Sequence, residues 1–589
     1  MAAKPNAQKF YDAGLKAQNS GRLAVAVKHY QACLKLVPNS PPVLNNLGFC
    51  LMSQGRNDLA LKVLQRARSA SPDDLTILGN LAACHRQLGE FEAARDCLLR
   101  RSQIDGSIET LRLLVAALRA TVELDVALDV SEKISNAKGA SLSDLSSTLH
   151  LARELCDWNR LAAFTEDLIA EKIKTDAAYA GSPFRYYSHL QDPDLLLEIA
   201  RRAAKRVLDD NARATSETHN GRRARKSAAA RIGFISQDFR DHPMLKLIAG
   251  LLETGPENDV EVYAYALGPD SDDARRTALK EKATVFRSFH DLTSKKAVDV
   301  IERDGLDALI DLMGYTRNAR PEILAARPCP VQISWLGLPG TTGAAWIDHV
   351  IADDVVVPAE LEPGFTENVI RMAPTYYPFD DRSPPVTPEP LRDQHGLPKD
   401  AFVFASFNQS FKFCPQRFHT WCEAMLAVPS TVLWLMEPSH PQAKTNIWKA
   451  ASDNGVDPDR VVFAPRIPHV QHYSRLRCAD LMLDTWLYGG HTTTIDALWA
   501  GVPVLTRIGP TFTSRVAASI LSAANLEELI MQSEEEYFDL AVTLASDQGR
   551  YRALAKRCQN LDRKAAPFST SGFNREFFRT VIAAVGEAC

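Results

Sequence analysis

The sequence predicts an α-helical solenoid followed by an α/β half that contains two parallel-sheet domains. Three observations support this prediction. Small residues recur every 34 positions over the first hundred residues, short β-branched runs alternate with helical stretches from residue 230 onward, and a proline-rich segment divides those runs into two series. The chain of 589 residues is also too long for a single hydrophobic core, because domains usually hold about 100–200 residues.

The composition is that of an ordinary globular protein and excludes several other classes. Hydrophobic residues make up 46% of the chain and charged residues 24%, which excludes a collagenous or wholly disordered protein. The net charge of −4 provides no overall attraction to nucleic acid or to a membrane surface. We expect a cytoplasmic protein, since no apolar stretch approaches the ~20 residues of a membrane helix and no signal peptide is apparent. The eleven cysteines form no CxxC pair, so reduced thiols are expected.

The first element is a set of helical repeats. Three columns of small residues and one of prolines align at the period of 34: Gly14, Gly48 and Ala82; Gly21, Gly55 and Gly89; Ala26, Ala60 and Ala94; Pro38 and Pro72. The small residues let antiparallel helices approach closely, the glycines end the first helix of each pair, and the prolines end the second. This tetratricopeptide (TPR) pattern predicts a repeat domain over 1–140, with three repeats and a degenerate fourth. Such repeats stack into a solenoid whose groove binds a segment of another protein.

The second element is a helical linker region over 141–227. Helical patterning continues to about residue 174, and the last part of the region is rich in arginine and lysine around ATSETHNGRR. Basic runs can bind nucleic acid, but this run has no interleaved aromatic side chain and no known nucleic-acid motif. A solvated linker is therefore the favoured interpretation, and no nucleic-acid partner is expected.

The third and fourth elements are two α/β domains. Ten short apolar runs, from ARIGFISQDF to PVLT, alternate with helical stretches, which is typical of parallel sheets with crossover helices. The segment SPPVTPEPLRDQHGLP divides them, so we predict Rossmann-like domains over 228–390 and 391–589, the second with terminal helices. A ligand is expected in the cleft beyond the carboxyl ends of the strands. This is the general form of a GT-B glycosyltransferase, although the form alone is weak support for that function.

One candidate site lies in the segment DLMLDTWLYGGHTTTIDALWAG. The segment predicts a buried strand, a glycine loop and a helix that begins at His491, Thr492 and Thr493. A helix start with free amides and threonine hydroxyls can bind phosphate. Asp496, one turn after Thr492, is positioned to accept hydrogen bonds from a ribose. A threonine-capped helix without a ligand is the alternative, but it leaves the Gly-Gly-His sequence unexplained.

A second cluster follows another predicted strand. The apolar run 402–405 leads into Asn408, Gln409 and Lys412, with aromatic residues on both sides of the lysine. A lysine just past a strand can neutralise a diphosphate as a compact point charge. A solvated surface lysine is an equally good interpretation of this segment alone.

Two further segments carry candidate residues. His242 follows the first strand of the α/β half and precedes Pro243 at a predicted helix start, so it is either a helix cap or a general base. The segment WLGLPGTTGA contains three glycines around Pro339 and predicts a loop whose backbone approaches a ligand closely.

Several of these segments together resemble the O-linked N-acetylglucosamine transferase and SPINDLY family. The matching segments are RIGFISQDFRDHP, DLMGYTRNARPEILAARPCPVQISWLGLPGTTGA, FNQSFKFCP, VLWL, DLMLDTWLYGGHTTTIDALWAGVPV and SRVAAS. The resemblance covers about 230–530, and the preceding TPR repeats agree with it. It implies an inverting GT-B enzyme, independent of metal ions and of cofactors, that moves a sugar from a nucleotide to a side chain of a protein.

The family pattern also implies roles for individual residues. It makes Lys412 the ligand of the leaving diphosphate and His242 a cleft histidine proposed as the base. The residues implied to bind donor or acceptor are Gly337, Pro339, Gly340, Thr341, Gln409, His472, His491, Thr492, Thr493 and Asp496. Within this set, the helix start binds phosphate and Asp496 binds ribose. His469 is a departure, since the animal enzymes carry a lysine at that position.

The resemblance leaves the donor and acceptor open. The sequence GHTT, in place of the GTTT of plant fucosyl-transferring members, favours UDP-N-acetylglucosamine (UDP-GlcNAc) as donor and Ser or Thr of a protein as acceptor. The short repeat array favours a bacterial setting and few acceptors. One alternative is a flagellin glycosyltransferase that uses a nucleotide-activated nonulosonic acid. Another is a TPR scaffold on an inactive transferase, against which the intact Lys412, helix start and Asp496 argue.

Overall fold

The computed structural model of the chain contains two compact units, Met1–Ala140 and Ser141–Cys589. The described residues are 3–175, 179–211, 229–254, 259–383 and 392–588. None of the helices within those ranges is long and apolar enough to span a membrane.

In the described part of the first unit, eight helices form four consecutive hairpin pairs. Their bounds are α1 Ala3–Asn19, α2 Leu23–Leu36, α3 Pro41–Met52, α4 Asn57–Ala70, α5 Leu75–Gln87, α6 Phe91–Ile104, α7 Ile108–Ala120 and α8 Leu124–Ser135. The predicted TPR solenoid is thereby confirmed, and α7 and α8 form a fourth pair where the sequence predicts the degenerate repeat. A Cβ on Gly14 would lie 2.6 Å from the Tyr30 ring, and one on Gly48 would lie 2.5 Å from Leu64. These positions need glycine because the two helices of each pair touch there.

Four helices begin the second unit: α9 Leu142–Glu154, α10 Trp158–Leu161, α11 Glu166–Thr175 and α12 Pro193–Asn211. They pack within the same compact unit as the α/β domains, so the linker interpretation of 141–227 needs correction. In particular, 201–211 form the last turns of α12 with Ala203 and Ala204 buried. A basic composition does not reveal the apolar stripe on the opposite side of the helix. The rest of the basic segment, 212–228, lies outside the described residues.

The first α/β domain contains seven parallel strands in the order β3-β2-β1-β4-β5-β6-β7. The strands are β1 Ala230–Ser236, β2 Val260–Ala266, β3 Val285–Ser288, β4 Ala308–Asp311, β5 Val331–Ser334, β6 His349–Ala352 and β7 Asn368–Arg371. The helices are α13 Pro243–Glu253, α14 Ala274–Lys282, α15 Ser294–Asp304 and α16 Pro321–Ala325.

The second α/β domain has six parallel strands in the corresponding order, β10-β9-β8-β11-β12-β13. The strands are β8 Phe402–Ser406, β9 Thr431–Met436, β10 Val461–Ala464, β11 Leu481–Leu483, β12 Val504–Arg507 and β13 Ile530–Met531. The helices are α17 Pro415–Ala427, α18 Pro441–Asp453, α19 His469–Leu476, α20 Thr492–Ala500, α21 Val516–Ala523, α22 Glu534–Ser546 and α23 Gln548–Gln559. Both sheets reverse strand order at their centre, which confirms the two Rossmann-like domains of a GT-B fold.

The last helix, α24 Thr570–Ala588, packs against the first α/β domain instead of the second. The ring of Phe577 lies 6.1 Å from Phe234 and 4.5 Å from Trp335. Asn574 Nδ2 donates a hydrogen bond to the Gly250 carbonyl oxygen at 3.1 Å. The predicted domain 391–589 is therefore too long at its carboxyl end, because α24 packs with the first α/β domain. Of the dividing proline-rich segment, 384–391 lie outside the described residues.

Candidate active site

Lys412 is a half-buried cation at the end of the single 3-10 turn that follows β8. Its Nζ donates to the Gly489 carbonyl oxygen at 2.9 Å and lies 3.4 Å from Asn408 Oδ1. The Tyr488 ring covers the ammonium group, with 4.1 Å between Nζ and the ring centroid. Burial lowers the pKa of Lys412 from 10.5 to about 8. The alternative of a solvated surface lysine is therefore wrong.

Asp484 is the acidic group of the site, and sequence analysis missed it. It follows β11 and is 3% exposed. Its carboxylate accepts hydrogen bonds from the Gly490 amide at 2.5 Å and from Thr506 Oγ1 at 2.7 Å. Burial raises the pKa of Asp484, and the nearby Lys412 opposes that rise. Asp484 thus fixes the glycine loop and partly balances Lys412, a role that its place at a strand end in DLMLDT makes recognisable.

The start of α20 presents backbone amides without a side-chain cap. His491 occupies the N-cap position and makes no capping hydrogen bond. Thr492 Oγ1 lies 2.9 Å from the Tyr377 hydroxyl, and Thr493 Oγ1 donates to Asn408 Oδ1 at 3.0 Å. The threonine hydroxyls thus bond to neighbouring side chains, so the alternative of a threonine-capped helix is wrong. The open amides and the helix dipole together suit an anion.

His491 presents one free ring nitrogen at this helix start. Its hydrogen bond with the backbone of Thr513 leaves Nε2 buried and without a partner among the described residues. The ring centroid lies 5.1 Å from that of Tyr488 and 6.1 Å from that of Tyr377. Burial and the nearby Lys412 hold the pKa of His491 well below its usual 6.5, so the imidazole is neutral at pH 7.

The helix α19 runs beside α20 and carries two further candidates. His469 Nε2 lies 3.3 Å from Asp496 Oδ2, so the residue identified as a departure contacts the candidate ribose ligand. The Tyr473 hydroxyl also hydrogen-bonds to Asp496. His472 Nδ1 accepts a hydrogen bond from Arg475 Nε at 2.9 Å. Burial lowers the pKa of His472 to about 3, which makes the ring neutral with its proton on Nε2.

The carboxyl end of α9 is hydrogen-bonded to the turn that carries Lys412 and to the residue after it. Ser410 Oγ donates to the Glu154 carbonyl oxygen at 3.0 Å, and Arg153 Nη1 donates to the Phe413 carbonyl oxygen at 3.3 Å. These bonds join residues that are 256 and 260 positions apart. No sequence pattern links such distant positions, so these supporting contacts could not be predicted.

The glycine loop of the first domain packs tightly against the protein itself. A Cβ on Gly337 would lie 1.9 Å from the Leu312 carbonyl oxygen, and one on Gly340 would lie 2.8 Å from the Tyr187 hydroxyl. Pro339 and Gly340 are buried. The close approach predicted for this loop is therefore observed toward the protein's own chain, while contact with donor or acceptor stays a prediction.

Glu367, also missed by sequence analysis, anchors the same loop. Its carboxylate accepts hydrogen bonds from Thr341 Oγ1 and from the Thr342 amide, each at 2.6 Å, and from the Thr366 amide at 3.1 Å. Thr341 is 5% exposed and directed toward this carboxylate. Glu367 thus ties the loop to the residues just before β7.

His242 is the N-cap of α13, which is one of its two predicted roles. Its Nδ1 accepts a hydrogen bond from the Met244 amide at 3.2 Å and lies 3.7 Å from Asp238 Oδ2. Burial lowers the pKa of His242, so the ring is neutral at pH 7 and carries its proton on Nε2. It can accept a proton only if it releases the Met244 amide. This geometry disfavours the role of general base.

The structure brings most of the predicted donor-binding residues to one place. Lys412, His491, Thr492 and Thr493 meet around the loop after β11, and the exposed side chain of Gln409 lies beside them in the chain. Asp496 lies one turn further along α20, and His472 lies on the neighbouring helix α19. His242 and the 337–341 loop follow strands of the other sheet. In the described parts of the chain, no group of three or more His, Cys, Asp or Glu side chains could hold a metal ion.

Two family patterns match the sequence. Glycosyl transferase family 41 matches residues 192–387 and 386–577, and a tetratricopeptide repeat pattern matches residues 39–105. The first covers both Rossmann-like domains and the whole of α12. The second lies within the helix pairs of the first unit.

Individual relatives are similar over about half to two thirds of the chain. A probable UDP-N-acetylglucosamine–peptide N-acetylglucosaminyltransferase, SEC, of Arabidopsis thaliana is 33% identical over 424 residues, which are 69% of this chain and 43% of the relative. The Caenorhabditis elegans UDP-N-acetylglucosamine–peptide N-acetylglucosaminyltransferase is 27% identical over 513 residues, covering 67% of this chain and 44% of that protein. A probable SPINDLY transferase of Petunia hybrida is 31% identical over 54% of this chain and 34% of its own length. The chain thus spans less than half the length of these relatives.

One solved structure has a similar fold. A mutant of the Thermobaculum terrenum O-GlcNAc transferase is 23% identical, with a TM-score of 0.61 over 100% of this chain and 99% of that one. This similarity establishes a common fold, repeats included.

Proposed function

Because the chain belongs to glycosyltransferase family 41, we propose that it transfers a sugar from a nucleotide donor to a hydroxyl group of a protein. The proposed donor is UDP-GlcNAc, the donor named for the Arabidopsis and Caenorhabditis relatives. The proposed acceptor is a Ser or Thr side chain. The observation that carries this proposal is the half-buried Lys412 ammonium group beside the uncapped start of α20.

The proposed diphosphate site lies between Lys412 and the first amides of α20. Both face the loop after β11, at the carboxyl edge of the second sheet, where α/β folds bind ligands. The ammonium group and the helix dipole supply positive charge in a poorly solvated place, where charge interactions are strong. The ribose is assigned to Asp496, whose carboxylate also contacts His469 and Tyr473.

In the proposed reaction the acceptor oxygen attacks the anomeric carbon on the side opposite the diphosphate. The bond between that carbon and the diphosphate oxygen breaks, the configuration inverts, and the hydroxyl proton passes to water. Negative charge develops on the departing diphosphate, where Lys412 and the helix start stabilise it without reorganisation. This arrangement is the basis for proposing that neither a metal ion nor a cofactor takes part.

The repeats are proposed to bind the acceptor protein. Leu15 and Phe49 occupy equivalent positions in successive repeats and are 36% and 37% exposed, so they offer apolar contacts to a partner. The proposed setting is the cytoplasm. It is consistent with the described cysteines, which are buried thiols without a disulfide.

A labelled-donor assay tests this function. The purified chain is incubated with UDP-GlcNAc and candidate acceptors, flagellin among them, and the acceptor is analysed by mass spectrometry. We expect an added N-acetylhexosamine on Ser or Thr together with release of UDP. If modification occurs only with a nucleotide-activated nonulosonic acid, that compound and not UDP-GlcNAc is the donor. Absence of both nucleotide binding and transfer with either donor would contradict the proposal.

A further inference from the structure

Tyr187 carries a buried hydroxyl group that the fold does not use. The residue follows the 3-10 turn Pro183–Arg185 and is 3% exposed. Its hydroxyl is buried and finds no hydrogen-bond partner within the described ranges. Burial raises the pKa of Tyr187, so the phenol keeps its proton and can both donate and accept. Buried hydroxyl groups are normally paired, because leaving one unpaired is costly.

Tyr187 touches both α/β domains. Its hydroxyl oxygen lies 2.8 Å from the place that a Cβ on Gly340 would occupy, so the hydroxyl packs directly against the glycine loop. Its ring packs edge-on against Tyr488 of the second domain, with centroids 6.4 Å apart and planes at 83°. Tyr488 in turn covers Lys412 Nζ at 4.1 Å. A side chain that reaches both the glycine loop and the Lys412 wall lies at the cleft, where a ligand of this fold binds.

Neighbouring tyrosines show that the fold pairs such groups elsewhere. Tyr186 is fully buried, and its hydroxyl donates to the Ala180 carbonyl oxygen at 2.7 Å. The Tyr315 hydroxyl donates to the Thr342 carbonyl oxygen at 2.7 Å. Tyr187 therefore differs from the tyrosine beside it in lacking an internal partner, although its burial is similar.

We propose that Tyr187 binds the transferred sugar, and that its hydroxyl pairs with a polar group of that sugar when the donor occupies the cleft. The inference rests on the proposed function. The sugar is bonded to the diphosphate assigned to Lys412, whereas the nucleoside is assigned to the α19 and α20 side of the site. Tyr187 adjoins the Lys412 ammonium group through the Tyr488 ring. It therefore distinguishes a nucleotide sugar from a bare nucleotide.

The test compares Tyr187→Phe with Tyr186→Phe in the full chain. Titration calorimetry measures the affinities for UDP and for UDP-GlcNAc, and thermal melting is recorded on the same samples. Tyr187→Phe is expected to melt at a higher temperature than the parent, because it removes an unpaired buried hydroxyl. It is expected to keep the UDP affinity and to bind UDP-GlcNAc about three- to tenfold more weakly, as loss of one hydrogen bond predicts. Tyr186→Phe is expected to melt at a lower temperature with the parental ratio of the two affinities.

Three results would overturn the inference. The first is parental affinity of Tyr187→Phe for UDP-GlcNAc. The second is an equal loss of affinity for UDP and UDP-GlcNAc, which would place the hydroxyl on the nucleotide. The third is a lower melting temperature with unchanged affinities, which would indicate a structural bond to water. If the parental chain binds neither compound, the proposed donor itself is wrong, and that outcome is distinct from the other three.

Discussion

Replacing Lys412 by methionine is expected to stabilise the folded protein while it removes sugar transfer. Burial lowers the pKa of Lys412 from 10.5 to about 8. At about 1.4 kcal/mol for each pKa unit, holding this side chain charged costs the fold about 3 kcal/mol at neutral pH. The side chain is half-buried, and methionine loses the bond to the Gly489 oxygen, worth about 1 kcal/mol. The expected net gain is about 1–2 kcal/mol.

The gain has a definite pH dependence. The unfolded lysine titrates near 10.5 and the folded one near 8, so between these values the unfolded state binds more protons. The cost of Lys412 is therefore fully present below pH 8 and declines as the pH rises toward 10.5. The stabilisation by Lys412→Met should follow the same course.

Urea unfolding followed by tryptophan fluorescence measures this effect. The transition of the second unit should be analysed by itself, because a chain of two units does not unfold in one step. Lys449→Met is the matched control, since Lys449 is 62% exposed and should change stability by less than about 0.5 kcal/mol. A Lys412→Met protein that is less stable than the parent at pH 7 would refute the reasoning, as would a gain that does not shrink between about pH 7 and 9.5.

Three further predictions concern the site and the repeats. Thr492→Val and Asp496→Ala should each weaken nucleotide binding through the loss of one or two hydrogen bonds. If calorimetry shows unchanged nucleotide affinity in both variants, the donor does not bind at the start of α20. Chelation by EDTA should leave transfer intact, because the positive charge is assigned to Lys412 and a helix start; loss that Mg²⁺ or Mn²⁺ restores would contradict this. Deletion of residues 1–140 should spare UDP binding but sharply reduce modification of the full-length acceptor, because tethering raises the local concentration of the target to roughly millimolar. An unimpaired rate in a truncated protein that melts normally would show that the repeats do not recruit the acceptor.

Local sequence patterns predicted the elements whose contacts are local. The repeat frame predicted a close helix approach at Gly14, and the Tyr30 ring occupies that place within the same helix pair. The polar residues at strand ends predicted where Lys412 and the α20 start would meet, because parallel strands bring their carboxyl ends to one edge of a sheet.

Contacts between distant segments were not predictable in the same way. The bond between Ser410 and Glu154 joins residues 256 positions apart, and neither carries a recognisable motif. The packing of α24 against Phe234 of the first α/β domain was also not predictable, because an amphipathic helix does not specify which apolar surface it covers. The sequence could not decide between the cap and base roles of His242. The choice depends on whether Nδ1 accepts the Met244 amide hydrogen, which only the structure shows.

The central claim is that Lys412 stabilises the departing diphosphate, and the turnover of Lys412→Ala tests it most directly. Single-turnover transfer is measured for the parent and the variant at saturating UDP-GlcNAc, with folding verified by melting. Loss of a preorganised electrostatic stabiliser is expected to cost about 3–4 kcal/mol, so the variant should be slower by a factor of roughly 10² to 10³. A folded variant that transfers sugar at nearly the parental rate would contradict the claim.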